Sequence, residues 1–293
     1  LTVAPPSLVM VAGPNGAGKT TLIETLRASP EISLPPLYIN ADDLGREDGL
    51  DARDAQALAA SRRQQAIAHG QGLLYETVMS HPSKVAELQA AAAAGYLVTV
   101  VFVATNNPEI NIQRVALRVA AGGHDVPRDR IRVRHRRSLA LASSAIAFAA
   151  HAYVYDNSAW GSETAHQLQA VLVGTTLQPA ADRPSSWVTQ LIDTVNPRAA
   201  ELQDIYESVQ NQVQLILPNL DASATAGPIT VAGKYYVLQT DQTSGNVVLH
   251  DRALLTKPIS PRQIYRIEYS QGVSKISRRS SARIRAVKRT KKQ

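Results

Sequence analysis

Gly13-Pro14-Asn15-Gly16-Ala17-Gly18-Lys19-Thr20 spells G-x-x-x-x-G-K-T, the pattern of a phosphate-binding loop. Ser7-Leu8-Val9-Met10-Val11-Ala12, just before it, is a short apolar run suited to a buried parallel strand. After it, Leu22, Ile23 and Leu26 fall on one helical stripe. Strand, glycine loop and helix in that order form the context in which this pattern holds a nucleoside triphosphate. Backbone N–H groups turn in on phosphate oxygens, and the helix N-terminus adds partial positive charge. Gly13, Pro14, Asn15, Gly16, Ala17, Gly18, Lys19, Thr20 and Thr21 are therefore expected to contact the nucleotide, read as ATP. Lys19 should reach the β- and γ-phosphates, and the Thr20 hydroxyl should sit on Mg²⁺.

Outward from the loop, short apolar runs alternate with helical stretches. Leu37-Tyr38-Ile39-Asn40, Leu73-Leu74-Tyr75, Tyr96 to Val103 and Ala152-Tyr153-Val154-Tyr155 read as further strands. The run to Val103, rich in β-branched residues, is the expected central strand. Helices are expected over 51–69, 84–94, 108–121 and 128–150. This alternation predicts a P-loop NTPase-like three-layer α/β/α fold with a parallel sheet. The pattern changes near 179–184, a linker-like stretch. An amphipathic helix is expected over 196–217. After a small, polar segment at 218–228, β-rich runs around 229–231, 235–238, 247–249 and 265–269 predict a small C-terminal all-β domain. The expected division is 1–190 for the P-loop domain, 191–225 for a helical linker, 226–276 for the β domain and 277–293 for a basic disordered tail.

The 293 residues include 44% hydrophobic and 19% charged side chains, which suits a water-soluble globular chain. Cysteine is absent, so disulfides and thiolate metal sites are excluded, and a reducing cytoplasm is the expected location. No apolar run has membrane-spanning length, so no membrane partner is expected. Leu1 to Pro6 has neither a charged n-region nor an apolar h-region, so no signal peptide is read there. The net charge of +7 is concentrated: from Lys275 onward there are nine Lys or Arg and no acid, leaving 22 basic against 24 acidic residues elsewhere. This terminal run fits nucleic acid or another acidic partner, or a solvated tail.

A P-loop does not name a reaction. Phosphoryl transfer also needs a carboxylate near the γ-phosphate and cations beyond Lys19. Asp42, Asp43 and Glu76 qualify, each at the carboxyl end of a strand, where open α/β sheets place their ligands. Arg114, Arg118, Arg128, Arg130, Arg132, Arg134, Arg136 and Arg137 supply cations. Arg130, Arg134 and Arg137 form a stripe that either lines a phosphate channel or faces solvent. His124 lies in a Gly-Gly loop and either contacts a phosphate or caps backbone. Trp160, Tyr153 and Tyr155 either stack on a base or pack in the core.

The succession of the P-loop, Asn40-Ala41-Asp42-Asp43, Glu76-Thr77, Arg114/Arg118, Gly122-Gly123-His124-Asp125-Val126-Pro127, Arg134/Arg137 and Asp156-Asn157-Ser158 resembles the zeta-toxin family over roughly residues 7–175. Zeta toxins are P-loop kinases that phosphorylate UDP-N-acetylglucosamine; a related effector branch phosphorylates a nicotinamide dinucleotide. The resemblance implies a toxin, ATP and Mg²⁺ as cofactors, and a nucleotide-sugar substrate. It also implies a protein antitoxin or inhibition by the chain's own C-terminal region. It makes Asp42 the catalytic base, Lys19, Arg134 and Arg137 the γ-phosphate contacts, and Glu76 a substrate contact. Asp43, Thr77, Arg118 and His124 join the substrate-binding set. The chain departs from the family where Leu44-Gly45 follows the aspartates and Thr77 follows the glutamate. A second stretch, including Gly227-Pro228-Ile229 and Val248-Leu249-His250-Asp251-Arg252, resembles the KfrB-type domain of conjugative-plasmid proteins. That implies a mobile-element setting. The alternative reading is a nucleic-acid-associated plasmid maintenance protein that uses ATP binding as a switch.

Overall fold

The apolar runs come together as strands in a computed structural model that describes residues 4–29, 32–161, 165–209, 215–220 and 222–279. Along the chain come β1 (Ser7–Ala12), α1 (Lys19–Arg27), β2 (Leu37–Ile39), α2 (Ala41–Asp48), α3 (Ala52–Ala68), β3 (Leu73–Thr77) and α4 (Ser83–Ala93). Then follow β4 (Leu97–Ala104), α5 (Pro108–Ala120), α6 (Arg128–Ala147), β5 (His151–Asp156), β6 (Gln167–Val173), β7 (Thr176–Pro179) and α7 (Ser186–Val209). The chain divides into two units after Asn196, inside α7.

The first unit holds a seven-stranded sheet in the order β2-β3-β1-β4-β5-β6-β7. β1 to β5 are parallel, and β6 and β7 add antiparallel strands at one edge. β4 is central, as its composition predicts, and every residue after Leu97 in it is buried. Alternate residues separate the faces. Val9, Val11, Leu74, Val101, Val103 and Tyr155 pack with Leu22, Ile23 and Leu26 of α1. On the other face Phe102 meets Trp187 of α7 edge-on at 6.0 Å, and Arg63 of α3 lies 4.8 Å over the Tyr75 ring. Arg63, itself buried, is paired with Glu87 of α4, which Lys84 also meets at 3.0 Å. Burial opposes the Glu87 charge, yet Lys84 and Arg63 hold its carboxyl below the usual range. The fold is a layered α/β architecture with a largely parallel sheet.

Several boundaries differ from the sequence reading. α2 lies where no helix was expected: Asn40 caps it by accepting the Asp42 N–H at 2.8 Å, and Gly49 ends it at φ 63°. The β6–β7 hairpin occupies part of the stretch read as leading into a linker. Its alternation and its Gly174 turn (φ 61°) were visible in Gln167 to Leu177. α7 begins ten residues earlier than expected, because Trp187, Val188, Leu191 and Val195 are buried. It ends at Val209, and Leu215–Ile216 is strand, not helix.

The second unit has six strands: β8 (Leu215–Ile216), β9 (Ala222–Ala232), β10 (Tyr236–Thr240), β11 (Val247–Asp251), β12 (Ile264–Ser270) and β13 (Val273–Arg279). Their order is β13-β12-β9-β10-β11-β8. β9 pairs with β12 through its first seven residues, then with β10. The change falls after Pro228, one residue beyond Gly227, at which a side chain would meet the Thr240 carbonyl oxygen at 1.9 Å. Buried Gln239 bridges this corner, donating to Gly227 O at 3.1 Å and Tyr265 O at 2.9 Å and accepting from Thr225 Oγ1 at 2.6 Å. β9 and β13 extend the β unit beyond the sequence reading. Residues 222–225, assigned to a linker, and 277–279, assigned to a tail, are strand. Small side chains at 222–227 gave no β signal. The basic run from 280 to 293 lies outside the described residues.

His250 and Asp251 are structural here. His250 Nδ1 lies 2.9 Å from the Tyr269 hydroxyl and its rings stack. Asp251 is buried against Arg198 of α7 and accepts the Ala253 N–H at 2.8 Å. Glu201 accepts the N–H groups of Lys234, Tyr235 and Tyr236, closing the turn before β10. Burial pushes the His250 imidazole down to about 3, against about 6.5 in an unfolded chain. Between those values the unfolded state binds one more proton, so stability falls as pH falls from about 6.5 toward 3. We expect the unfolding free energy measured by urea titration to drop through this window by up to about 1.4 kcal/mol per pH unit. His250→Gln should flatten that slope; an unchanged slope would mean that His250 titrates normally.

Candidate functional site

The glycine loop leaves β1 and enters α1 with its backbone turned by glycines. Gly16 sits at φ 74° and Gly18, the N-cap of α1, at φ 89°. A Cβ on Gly18 would lie 2.5 Å from Asn157 Nδ2 and 2.7 Å from His166 Nε2. These neighbours tie down the loop carbonyls from outside. Asn111 Nδ2 donates to Asn15 O at 2.6 Å, Asn157 Nδ2 donates to Ala17 O at 2.9 Å, and His166 Nε2 lies 2.9 Å from Gly18 O. With those carbonyls held outward, the N–H groups of the same stretch are left for an anion. Pro14 O accepts the Ala17 N–H at 3.2 Å, and the Gly13 N–H is spent on Thr77 O at 3.1 Å.

Lys19 folds back over the loop and donates to Gly13 O at 3.1 Å and Pro14 O at 3.2 Å. Burial pulls its ammonium below the usual lysine range. Glu76 and Asp42 push it back up, while Arg118 and Arg134 lower it further. Four of the expected residues, Glu76, Asp42, Arg118 and Arg134, therefore act electrostatically on a fifth, Lys19. Glu76 is the hub of the acidic side. It accepts Thr20 Oγ1 at 3.1 and 3.2 Å and Asn40 Nδ2 at 2.8 Å. Asn40 also donates to the Tyr38 hydroxyl at 2.9 Å. Asp42 is exposed in the first turn of α2. The oxygens of Thr20, Glu76 and Asp42 are hard donors of the kind Mg²⁺ takes. The Thr20 proton points at Glu76, which leaves the hydroxyl lone pairs available.

The remaining expected residues are placed as follows. Arg134 Nη1 donates to Asn15 Oδ1 at 3.2 Å, and burial lowers its guanidinium's affinity for protons, with Arg130 adding to it. Arg137 is exposed, and its charge acts on His81. Arg132 is spent on Glu109 at 2.8 Å and Asp129 at 3.1 Å, a solvated surface group. The arginine stripe thus divides between the loop and the surface. Asp43 is paired with Arg46 on its own helix. The Thr77 hydroxyl accepts the Met79 N–H at 3.2 Å. Arg118 donates to His124 O at 2.6 Å, and His124 is exposed in the loop between α5 and α6. Thr21 is exposed on α1, its carbonyl accepting Thr25 Oγ1 at 3.0 Å. The bracing residues Asn111 and His166, and Asn40 as a partner of Glu76, were not singled out from the sequence. Asn157 appeared only as part of a motif. Their partners are 96, 148, 36 and 140 positions away.

The zeta toxin family model matches residues 2–159, and a KfrB domain model matches residues 224–278. An uncharacterized protein of Haemophilus influenzae is 27% identical over 127 residues, covering 43% of this chain and 91% of its own length. Among solved structures, one from the PezAT chromosomal toxin-antitoxin system of Streptococcus pneumoniae is 18% identical, covers 70% of this chain and 90% of its own, and has a TM-score of 0.38. A gluconokinase from Sinorhizobium meliloti 1021 is 13% identical, with 70% and 97% covered and a TM-score of 0.34.

Asn157→Ala would leave the Ala17 carbonyl without its side-chain donor and free the loop to rotate. We expect ATP affinity to fall about tenfold, about 1.4 kcal/mol, with unchanged far-UV circular dichroism. Unaltered affinity by calorimetry would show that the loop holds its shape without this brace.

Proposed function

The chain belongs to the zeta toxin family, and from that premise we propose that it is an ATP-dependent kinase of the zeta-toxin type acting on a nucleotide-sugar, with UDP-N-acetylglucosamine the first candidate. The observation that carries this reading is the gathering of Lys19, Thr20, Glu76 and Asp42 beside one glycine loop. A phosphate-binding backbone and an exposed carboxylate then face the same place.

The triphosphate lies along the N–H groups of the loop. Lys19 exchanges its carbonyl partners for phosphate oxygens, and their negative charge restores the proton affinity that burial has taken from it. The acceptor hydroxyl oxygen attacks the γ-phosphorus as its proton passes to Asp42, and the bond to the bridging oxygen breaks to release ADP. Arg134, next to Asn15, and Arg118 screen charge on the moving phosphoryl group. Of the Arg134/Arg137 pair, Arg134 has the contact with the loop. Glu76, with Asn40 beside it, binds the acceptor. A Mg²⁺ brought with the nucleotide would be held by Thr20, backed by Glu76, and would neutralise charge between the β- and γ-phosphates. As a toxin the protein would need restraint, by an antitoxin or by its own C-terminal region.

The test is transfer of labelled γ-phosphate from ATP to UDP-N-acetylglucosamine, other UDP-sugars, NAD and short oligonucleotides. We expect label on UDP-N-acetylglucosamine. Asp42→Ala should cut turnover by about a hundred- to ten-thousand-fold while ATP still binds. Label on NAD or an oligonucleotide would overturn the acceptor. Near-normal turnover in Asp42→Ala would remove Asp42 as the base.

A further inference from the structure

Arg114 and Trp160 have no part in the reaction above. Both belong to the side of the glycine loop opposite Asp42 and Glu76, because the sheet runs β2-β3-β1-β4-β5. Trp160 follows β5 and is 54% exposed, so it is not the core aromatic that its position in the sequence suggests. The Arg114 guanidinium lies 5.2 Å from its ring centroid. That guanidinium is fixed, donating to Asn157 O at 2.7 Å and Ala159 O at 2.8 Å. The same short segment touches the glycine loop, through Asn157 Nδ2 on Ala17 O at 2.9 Å. Three residues of chain span at most about 10 Å, so Trp160 lies within that reach of the residue bracing the loop.

The direction of a bound nucleotide follows from charge. Its γ-phosphate must face the acceptor carboxylate on the β2–β3 side. The nucleoside end then leaves toward β4 and β5, where Arg114 and Trp160 stand. An exposed indole backed by an immobilised cation is a platform for a planar π system. We propose that Trp160, braced by Arg114, is the stacking surface for the base of the nucleoside triphosphate. This rests on the reading of the glycine loop as the triphosphate site. Stacking recognises a ring face and not its hydrogen-bonding edge, so the platform is tuned to bases as a class, favouring the larger purines.

The chain's two tryptophans make the test direct, since Trp187 is only 8% exposed. In the full-length protein, ATP should protect Trp160 from iodide quenching, and Trp160→Phe should abolish the ATP-dependent change. Trp160→Ala should weaken ATP binding about tenfold, while binding of inorganic tripolyphosphate, which has no base, stays the same. Trp160→Phe, which keeps a ring, should retain most of the affinity and guards against a folding defect. Unchanged ATP affinity in Trp160→Ala, or equal weakening for ATP and tripolyphosphate, would overturn the stacking platform and leave the triphosphate site standing. Failure of the wild-type protein to bind either ligand would overturn the triphosphate site, and the platform with it.

Discussion

The first unit depends on the outward pull on the carbonyls of its glycine loop. A loop whose peptide groups rotate freely presents carbonyl oxygens and N–H groups to an anion alike, and the former repel it. Here Asn111, Asn157 and His166 take up the Asn15, Ala17 and Gly18 carbonyls. The three come from α5, from the residue after β5 and from the residue before β6, so the loop's shape is set by packing at the C-terminal end of the sheet. The buried threonine of that end extends the brace. Thr105 is hydrogen-bonded to Asn111, and its carbonyl oxygen lies 2.9 Å from His135 Nε2 of α6. Burial keeps His135 and His166 below the usual histidine range, so each is neutral near pH 7, with one ring nitrogen donating.

The loop then sorts the site by charge. On its β2–β3 side, Glu76 gathers Thr20 and Asn40, and Asp42 stands exposed at the start of α2. On its other side, Arg114 is pinned by two backbone carbonyls. Lys19 lies between opposing influences: burial, Arg118 and Arg134 disfavour its charge, while Glu76 and Asp42 support it. Such a lysine gains more from an arriving phosphate than a solvated one, because its desolvation has already been met in the fold.

The second unit uses buried polarity for a different end. Gln239 satisfies the backbone where β9 changes partners, and its carboxamide oxygen also lies 3.2 Å from His250 Nε2. Arg198 is buried with Asp251 and stacked near Tyr235 and Tyr236. Buried ion pairs of this kind add little net stability, but removing one partner is costly. They fix which part of α7 meets which strands of the sheet.

Much of this was legible in the chain. The G-x-x-x-x-G-K-T pattern, the apolar runs of β1 to β5 and the β-rich C-terminal segment are local signals: spacing, β-branching and glycine placement act within a few residues. They determined the α/β class, the loop, and the places where strand ends would present Asp42 and Glu76. Local signals failed in the first half of β9, where the small side chains of 222–227 carry no alternating pattern, and at α2, which Asn40 caps. Which arginine of the α6 stripe meets the loop was also undetermined, since spacing puts Arg134 and Arg137 on one face but not against a partner. The tertiary structure alone decided that Glu76 accepts the Thr20 hydroxyl's hydrogen bond, that Asn111, Asn157 and His166 hold the loop, and that Trp160 stands exposed beside Arg114. Those contacts join residues from distant strand ends, and only the order of strands in the sheet brings those ends together.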